Sequence, residues 1–172
     1  MIYILRIFYF FDIDIIQRVF HEKEALLGDP PERGQLNNIQ IKLGMTQLSG
    51  LDSRNERVER NGTKLYAMLK DIKGIRTPFL ETGAKNIFST CPILVKDKKN
   101  IIKILLNRGI DVSAGHLRDC SRLDVFKEFS RYCPNASRSE EEVIYLPLYP
   151  ELILDKQRYI AGVMKEVFKN AT

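Results

Sequence analysis

The sequence is poor in the residues that build disulfide frameworks and metal sites. It contains three cysteines, an odd number, and no two of them have Cys-x-x-Cys spacing. We therefore predict reduced intracellular thiols, and neither a disulfide framework nor a zinc site. With two histidines the chain cannot form an HExxH zinc helix, since His21-Glu22 lacks the second histidine. A cytoplasmic protein without a bound metal is expected.

Nucleotide-binding loops and membrane-spanning runs are also missing. The chain has neither a GxGxxG nor a GxxxxGK segment, so no phosphate-cradling loop of either type is predicted. Its most apolar run, Ile2 to Phe11, is broken by Arg6 and is well short of the ~20 residues that a bilayer span needs. We interpret this run as a buried or docking element and expect no membrane role.

Size and charge are those of an ordinary globular domain. At 172 residues and 44% apolar composition, the chain can bury a sizeable core. The net charge is +5, and the basic residues alternate with acidic ones, as in residues 52–60. Such alternation is typical of a solvated helix surface, whereas nucleic-acid binding proteins group positive charge on one face. No nucleic-acid partner is expected.

Periodicity and breaker residues predict an α/β arrangement. Helices are predicted at 13–27, about 38–72, 98–108, 122–132 and about 155–170. Extended segments are predicted at 86–95, 110–113 and 143–148, with Pro92 requiring an edge or a bulge. The stretch 137–142 is predicted as a helical turn. The order indicates a small α/β sandwich-like layer with a short sheet.

The long helix and the last helix carry more detailed predictions. Asn37 or Asn38 is the expected N-cap of the long helix, and a kink near Gly50 is an alternative to a continuous helix. Glycines within a helix cost about 1 kcal/mol each relative to alanine, so close contact with another backbone is predicted at Gly44, Gly50 and Gly62. The apolar positions of the last helix, Tyr159 among them, are predicted to face inward.

Several landmarks resemble a known family in order and spacing. The segment Gln40 to Leu51 resembles the family pattern "lQAAlgl.QL..L", and Arg60-Asn61-Gly62 falls near a later "R..NA". Gly109-Ile110 resembles the "GI" that follows a short helix, and residues 146–150, Leu-Pro-Leu-Tyr-Pro, resemble the "lPlhp" before the last helix. Together these features make the chain similar to the C-terminal part of the DegT/DnrJ/EryC1/StrS sugar aminotransferases.

The resemblance implies a fold and an activity. The implied fold is α/β (α+β-like): the small C-terminal domain of a fold-type I aminotransferase, with a long helix, a short mostly antiparallel sheet and flanking helices. Residues 33–172 are expected to form this domain, and residues 1–32 an N-terminal apolar and helical segment, either a remnant or a docking element. The implied reaction is transfer of an amino group, usually from glutamate, to a keto-sugar nucleotide, with pyridoxal phosphate as cofactor.

Three residues carry implied binding roles. Arg33 occupies the place of a family asparagine that reaches a neighbouring subunit's cofactor phosphate, and a guanidinium also suits phosphate. The alternative for Arg33 is an exposed loop arginine. His116 and Arg118 lie where the family has a substrate-side histidine, and the alternative for His116 is a structural or surface histidine.

No catalytic residue is assigned, because the cofactor lysine of the family lies well upstream of this region. Phe20-His21-Glu22-Lys23 superficially resembles the family's lysine motif. The Gln40 motif follows only 17 residues after Lys23, and only 22 residues precede Lys23 to supply the acid that holds the pyridinium nitrogen. We therefore interpret Lys23 as a solvated charge on a helix.

The leading hypothesis is a small domain that is inactive alone and joins a lysine-bearing large domain. A homodimer or such a companion is the expected partner, with a nucleotide sugar as the implied substrate and pyridoxal phosphate not bound by this chain alone. The alternatives are a non-enzymatic interaction or dimerisation module that keeps the fold, and the remnant of an interrupted gene.

Overall fold

The computed structural model describes residues 34–79, 81–115 and 117–169. The larger of two units consists of residues 36–119 and 133–169, and the smaller includes residues 120–132. The helices of the larger unit are α1 (Asn38–Ser49), α2 (Leu51–Leu69), α3 (Lys98–Asn107), α4 (Pro134–Glu142) and α5 (Leu154–Lys169). Its strands are β1 (Ile75–Arg76), β2 (Cys91–Val95) and β3 (Val143–Leu146). The predicted helix at 13–27 and the segment 1–32 lie outside the described residues.

Helix α1 begins with a capping box. The side-chain oxygen of Asn37 accepts the Gln40 backbone N–H at 2.9 Å, and the Gln40 side-chain oxygen accepts the Asn37 backbone N–H at 2.9 Å. The pair satisfies two N–H groups that have no partner within the helix, and it confirms Asn37 as the N-cap.

The predicted long helix is divided in two. Helix α1 ends at Ser49 and α2 begins at Leu51, while Gly50 between them has φ −103° and ψ 4°, away from helical values. The predicted alternative of a kink near Gly50 is therefore confirmed over a continuous helix. Helix α2 ends at Leu69, three residues before the predicted end at 72.

The core lies where α2 and α5 pack against the sheet. Fully buried side chains come from each of these elements: Leu65 and Leu69 from α2, Ile93 from β2, Ile144 from β3 and Met164 from α5. Burying a side chain of this size stabilises the fold by about 1.5–3 kcal/mol. The periodicities of α2, β2 and β3 are therefore those that face the core, whereas none of the apolar positions of α1 is buried.

The sheet is antiparallel with strand order β1-β2-β3, so Pro92 lies in the central strand. Strand β1 pairs only with Leu94 and Val95 of β2, so at Pro92 the side of β2 that faces away from β3 has no strand partner in the described residues, and the predicted edge position is confirmed. Tyr145, opposite Pro92, exchanges both of its backbone hydrogen bonds with Ser113, at 2.8 and 3.2 Å. The pair Pro92–Tyr145 is thus non-hydrogen-bonded and needs no N–H from proline.

Helix α3 is confirmed, whereas the strand predicted after it is not formed. Gly109, which follows the helix, has φ 73°, a left-handed conformation that glycine adopts without strain. Of the predicted strand 110–113, only Ser113 forms a β-bridge, to Tyr145. A strand needs a partner along its length, and here the ladder is one residue long.

In the smaller unit, residues 120–132 form 3₁₀ turns, Cys120–Arg122 and Asp124–Phe129, where a helix was predicted. Phe126, with φ −111° and ψ 18°, interrupts the second turn. Phe129, predicted to share an apolar side with Leu123 and Phe126, is 67% exposed. This segment has neither a buried apolar face nor the side-chain cap that begins α1, so it has little to stabilise an α-helix.

Helices α4 and α5 follow the predictions with two differences. Helix α4 begins at Pro134, a residue suited to the first turn, and is longer than the helical turn predicted at 137–142. Helix α5 lies within one residue of its predicted bounds at each end. Its Tyr159 is 52% exposed and not inward, because its hydroxyl donates to the Arg108 carbonyl oxygen at 2.8 Å at the edge of the core.

Gly62 contacts an aromatic ring where a neighbouring backbone was predicted. A Cβ atom at Gly62 would lie 2.5 Å from Cδ1 of Phe88. Phe88 is buried with φ 47°, and its backbone N–H donates to the Asn86 side-chain oxygen at 2.7 Å. This turn replaces the start of the predicted strand 86–95. At Gly44, in contrast, an added Cβ atom would meet none of the described atoms within 4 Å.

Candidate functional site

The candidate site is a cleft of about 620 Å³ beside β3, which we call the β3 cleft. It is bounded by residues 109–113, residues 145–149 and the first half of α5. Its polar lining consists of hydroxyls, one carboxylate and one amine: Ser89, Thr90, Asp111, Ser113, Tyr145, Tyr149, Lys156 and Tyr159. Such a lining can hydrogen-bond a polyhydroxylated molecule and pair with one anionic group.

The first wall is built by alternation along residues 110–113. Ile110 and Val112 are buried in the core, so Asp111 and Ser113 lie on the opposite side of the extended chain. The left-handed turn at Gly109 directs this segment back from the end of α3. All five residues from Gly109 to Ser113 line the cleft, with Asp111 and Ser113 as its polar groups and the buried Ile110 and Val112 closing the wall toward the core.

The second wall combines β3 with α5. Tyr145 is half-buried, and burial raises the pKa of its phenol above the ordinary value, so the hydroxyl remains a neutral donor and acceptor. Tyr159 fixes α5 against the end of α3 through its bond to the Arg108 carbonyl. Lys156, one turn earlier, is exposed at the mouth of the cleft.

A buried amide network holds the loop between β3 and α5. Asn61 on α2 donates through Nδ2 to the carbonyls of Tyr149 at 3.0 Å and Pro150 at 3.2 Å. Gln157 is 1% exposed and donates through Nε2 to Asn61 Oδ1 at 3.1 Å and to the Leu152 carbonyl at 2.8 Å. Two side chains thus satisfy three loop carbonyls, and the Leu-Pro-Leu-Tyr-Pro segment is fixed to α2.

The chain on either side of position 116 is attached to α3 and α4. Lys98 Nζ donates to the Ala114 carbonyl at 2.9 Å and to the Glu140 carbonyl at 2.7 Å. Asp119 is 2% exposed, accepts a hydrogen bond from the Ser137 hydroxyl, and donates its N–H to Glu140 Oε2 at 3.0 Å. Both ends of this segment are therefore held by buried or half-buried polar groups.

Of the residues predicted to bind ligands, Arg118 alone can be located. It is half-buried, next to Asp119, and does not line the β3 cleft. Arg33 and His116 lie outside the described residues, as does Lys23. The structure therefore does not test the predicted set, and the roles of its members stay predictions.

The cleft residues themselves were missed from the sequence. Asp111, Ser113, Tyr145 and Lys156 come from three separate segments and have no shared motif. The one local signal was the alternation Ile110, Asp111, Val112, Ser113, which predicts one buried and one open side.

Neither the cysteines nor the carboxylates form a metal centre in the described residues, where no group of three or more metal-ligating side chains is assembled. Cys91 is fully buried, and burial raises the pKa of its thiol from 9.0 to about 12, so it is not an activated nucleophile. No helix in the described ranges is long and apolar enough to cross a bilayer.

Comparisons with solved structures support the fold. A DegT/DnrJ/EryC1/StrS aminotransferase from Brucella abortus superimposes with a TM-score of 0.71 and 19% identity over 82% of this chain and 40% of its own. Helicobacter pylori PseC, an aminotransferase involved in pseudoaminic acid biosynthesis, has a TM-score of 0.68 and 21% sequence identity, and the match covers 84% of this chain and 43% of PseC. NtdA from Bacillus subtilis, solved with bound cofactor PMP, has a TM-score of 0.67 and 17% sequence identity, and the match covers 82% of this chain and 36% of NtdA.

Two facts qualify these similarities. The chain spans 36–43% of the length of these three proteins, so it corresponds to a part of each. By sequence, no curated protein matches significantly. The likeness confirms the fold class predicted above, an α/β small domain of a fold-type I aminotransferase with a short antiparallel sheet.

A family model provides the assignment. It describes the DegT/DnrJ/EryC1/StrS aminotransferase family and matches residues 12–165, which includes most of the segment 1–32 that the sequence analysis set apart. The chain therefore belongs to the DegT/DnrJ/EryC1/StrS aminotransferase family.

Proposed function

We propose that this chain is the small-domain part of a pyridoxal-phosphate-dependent aminotransferase acting on keto-sugar nucleotides, and that it is inactive without a lysine-bearing large domain. Family membership supports the reaction class, and the 36–43% span of the structural neighbours supports a partial contribution. In this proposal the β3 cleft forms one wall of the sugar site. The hydroxyls of Ser113 and Tyr145 bind sugar hydroxyls, and Lys156 pairs with a phosphate.

The observation that carries the proposal is the uncovered surface of α1. None of its residues is buried, and Ile39 is 78% exposed. At about 100° per residue, Ile39 and Leu43 fall on one side of the helix, and Ile41, Met45 and Leu48 on the opposite side. A helix that is apolar on two sides is typical of a buried position, which supports a companion domain or subunit around α1.

The described cleft does not fit the cofactor by itself. A lysine that forms a Schiff base is activated by an apolar pocket or by a neighbouring cation, whereas Lys156 is exposed at the mouth of the cleft. We therefore assign the cofactor lysine to the large domain. Arg33 would contribute a phosphate contact, and His116 and Arg118 would face the substrate, as the family resemblance implies.

The first test uses the purified chain with added pyridoxal phosphate. We expect no internal-aldimine absorption band, and no lysine adduct after borohydride reduction and mass spectrometry. A stoichiometric adduct that disappears in a Lys23→Ala variant would overturn the proposal, because the chain would then be a compact cofactor enzyme. An adduct spread over several lysines at low occupancy is ordinary surface reaction and agrees with the proposal.

The second test addresses the α1 surface. Replacing Ile41 and Met45 by lysine should keep the chain monomeric at concentrations where the parent self-associates, as measured by analytical ultracentrifugation. Thermal stability should change little, because neither side chain is buried. A Gln47→Lys variant, between the two apolar sides, is the control for added charge on the same helix.

The same ultracentrifugation measurement distinguishes the proposed function from the alternative, a non-enzymatic dimerisation module. A discrete dimer abolished by the two lysines, together with the absence of cofactor binding, favours a non-enzymatic dimerisation module. Concentration-dependent aggregates without a defined stoichiometry favour a missing large domain. If the lysine variant unfolds, α1 is part of the core in solution and its proposed role as a docking surface is wrong.

A further inference from the structure

A second concave surface lies between α2 and α5 and shares no residue with the β3 cleft. This α2/α5 groove has a volume of about 790 Å³. Its apolar floor is formed by Met68, Ile72, Ala161 and Phe168. Phe168 is held over Gly74, where a Cβ atom would come within 2.7 Å of its ring. The groove is therefore built from α2, α5 and the turn at residues 71–74 that follows α2.

The rim of the groove is basic. Lys73, Arg158, Lys165 and Lys169 line it, against a single lining carboxylate, Asp71. Arg158 also lies 3.3 Å from Asp155 on the exposed face of α5. An apolar floor between cationic borders is complementary to a segment that is apolar on one side and acidic on its flanks.

Gly162 provides an independent observation. It lies in the interior of α5 and lines the groove, and a Cβ atom added there would meet no described atom within 4 Å. The other helical glycine beside the core, Gly62, is explained by the ring of Phe88. Packing within the described chain gives no reason for glycine at 162. Close approach of another molecule at the groove would give one.

We propose that the α2/α5 groove binds an acidic amphipathic helix of a partner protein. The apolar side of that helix would contact Met68, Ile72 and Phe168, and its carboxylates would face Lys73 and Lys165. The backbone of the helix would approach α5 most closely at Gly162. The groove is less suited to nucleic acid, because its floor is apolar and the Asp71 carboxylate would face the phosphates. The proposal does not depend on the aminotransferase function.

The test uses a fluorescein-labelled, 16-residue synthetic helix with leucines at i, i+3, i+4 and i+7 spacing and glutamates flanking them. Fluorescence anisotropy should show binding that weakens with added salt. The same peptide with lysine in place of glutamate should bind at least about tenfold more weakly, because its charges repel the rim. Charge reversal of the rim, Lys73→Glu with Lys165→Glu, should produce a similar loss.

Gly162→Leu provides the decisive variant. Its side chain should fill the groove and weaken binding at least about tenfold, while circular dichroism stays that of the parent and the melting temperature is equal or slightly higher, because leucine is the better helix former and an added Cβ atom meets no described atom within 4 Å. Gly44→Leu on α1, where the surroundings are equally open, is the matched control and should leave binding unchanged. The proposal would be overturned by an unchanged peptide affinity in the Gly162→Leu variant. It would also be overturned by no peptide binding to the parent, or by equal affinity of the parent for a 20-base-pair DNA duplex.

Discussion

Replacing Gly62 with alanine should lower the free energy of unfolding by about 2–3 kcal/mol, although alanine is the better helix former. The new Cβ atom would lie 2.5 Å from Cδ1 of Phe88. That ring cannot move away easily, because Phe88 is buried, its backbone is fixed by Asn86, and its ring contacts that of Tyr66 with centroids 5.5 Å apart. Urea unfolding followed by circular dichroism would measure the loss.

Helix propensity alone predicts the opposite sign, which makes the experiment informative. Gly44→Ala is the control, since nothing lies within 4 Å of its new methyl group, and it should gain up to about 1 kcal/mol. In a Gly62→Ala/Phe88→Leu double variant, the smaller leucine side chain should recover part of the stability lost at Gly62, because the two positions are in direct contact. A Gly62→Ala variant as stable as the parent would mean that the Phe88 ring is not packed on α2.

Raising the pH from 9 to 12 should remove stability progressively, through Cys91. Burial raises the pKa of this thiol from 9.0 to about 12 in the folded chain, and it also raises the pKa of the neighbouring Tyr66. Between these pH values the unfolded state binds fewer protons than the folded state, so the free energy of unfolding falls as pH rises. The contribution of Cys91 is fully present below pH 9 and is lost as the pH approaches 12.

The expected size follows from the separation of the two pKa values. At roughly 1.4 kcal/mol per pKa unit, the loss from Cys91 approaches about 4 kcal/mol at pH 12. Urea titrations at several values between pH 8 and 11 would measure the slope, and a Cys91→Ala variant, although less stable at neutral pH, should show a shallower slope. Equal slopes for parent and variant would show that Cys91 is not the group responsible.

The sequence predicted the elements whose signals are local. Helix α3 follows from its apolar spacing and the terminal Gly109, and the start of α1 follows from the asparagine and glutamine of its capping box. The predictions differ from the structure where contacts with residues distant in sequence determine the local conformation. The sequence predicts an edge position for Pro92 but not that β2 would be the middle strand, since that depends on the short β1 pairing only with Leu94 and Val95. Residues 122–132 have helical spacing but do not form an α-helix.

The site was less predictable than the fold for a similar reason. The β3 cleft combines a segment after α3 with β3 and α5, and their proximity depends on the register of the sheet and on the amide network from Asn61. No local pattern marks Gln157 as a buried residue, because its position in α5 fits an exposed polar side chain equally well. The family resemblance indicated the type of domain, but of the ligand-binding residues that it implied, Arg118 alone falls in the described ranges.

The capping box at Asn37 has a consequence for the rate at which α1 meets a partner. Fixing the backbone of one residue costs about 1–2 kcal/mol of conformational entropy, and a segment that folds on binding incurs this cost during association. Helix α1 is already formed while its apolar sides are uncovered. An incoming domain would therefore meet an ordered surface, so the association rate would be set by the encounter and not by helix formation.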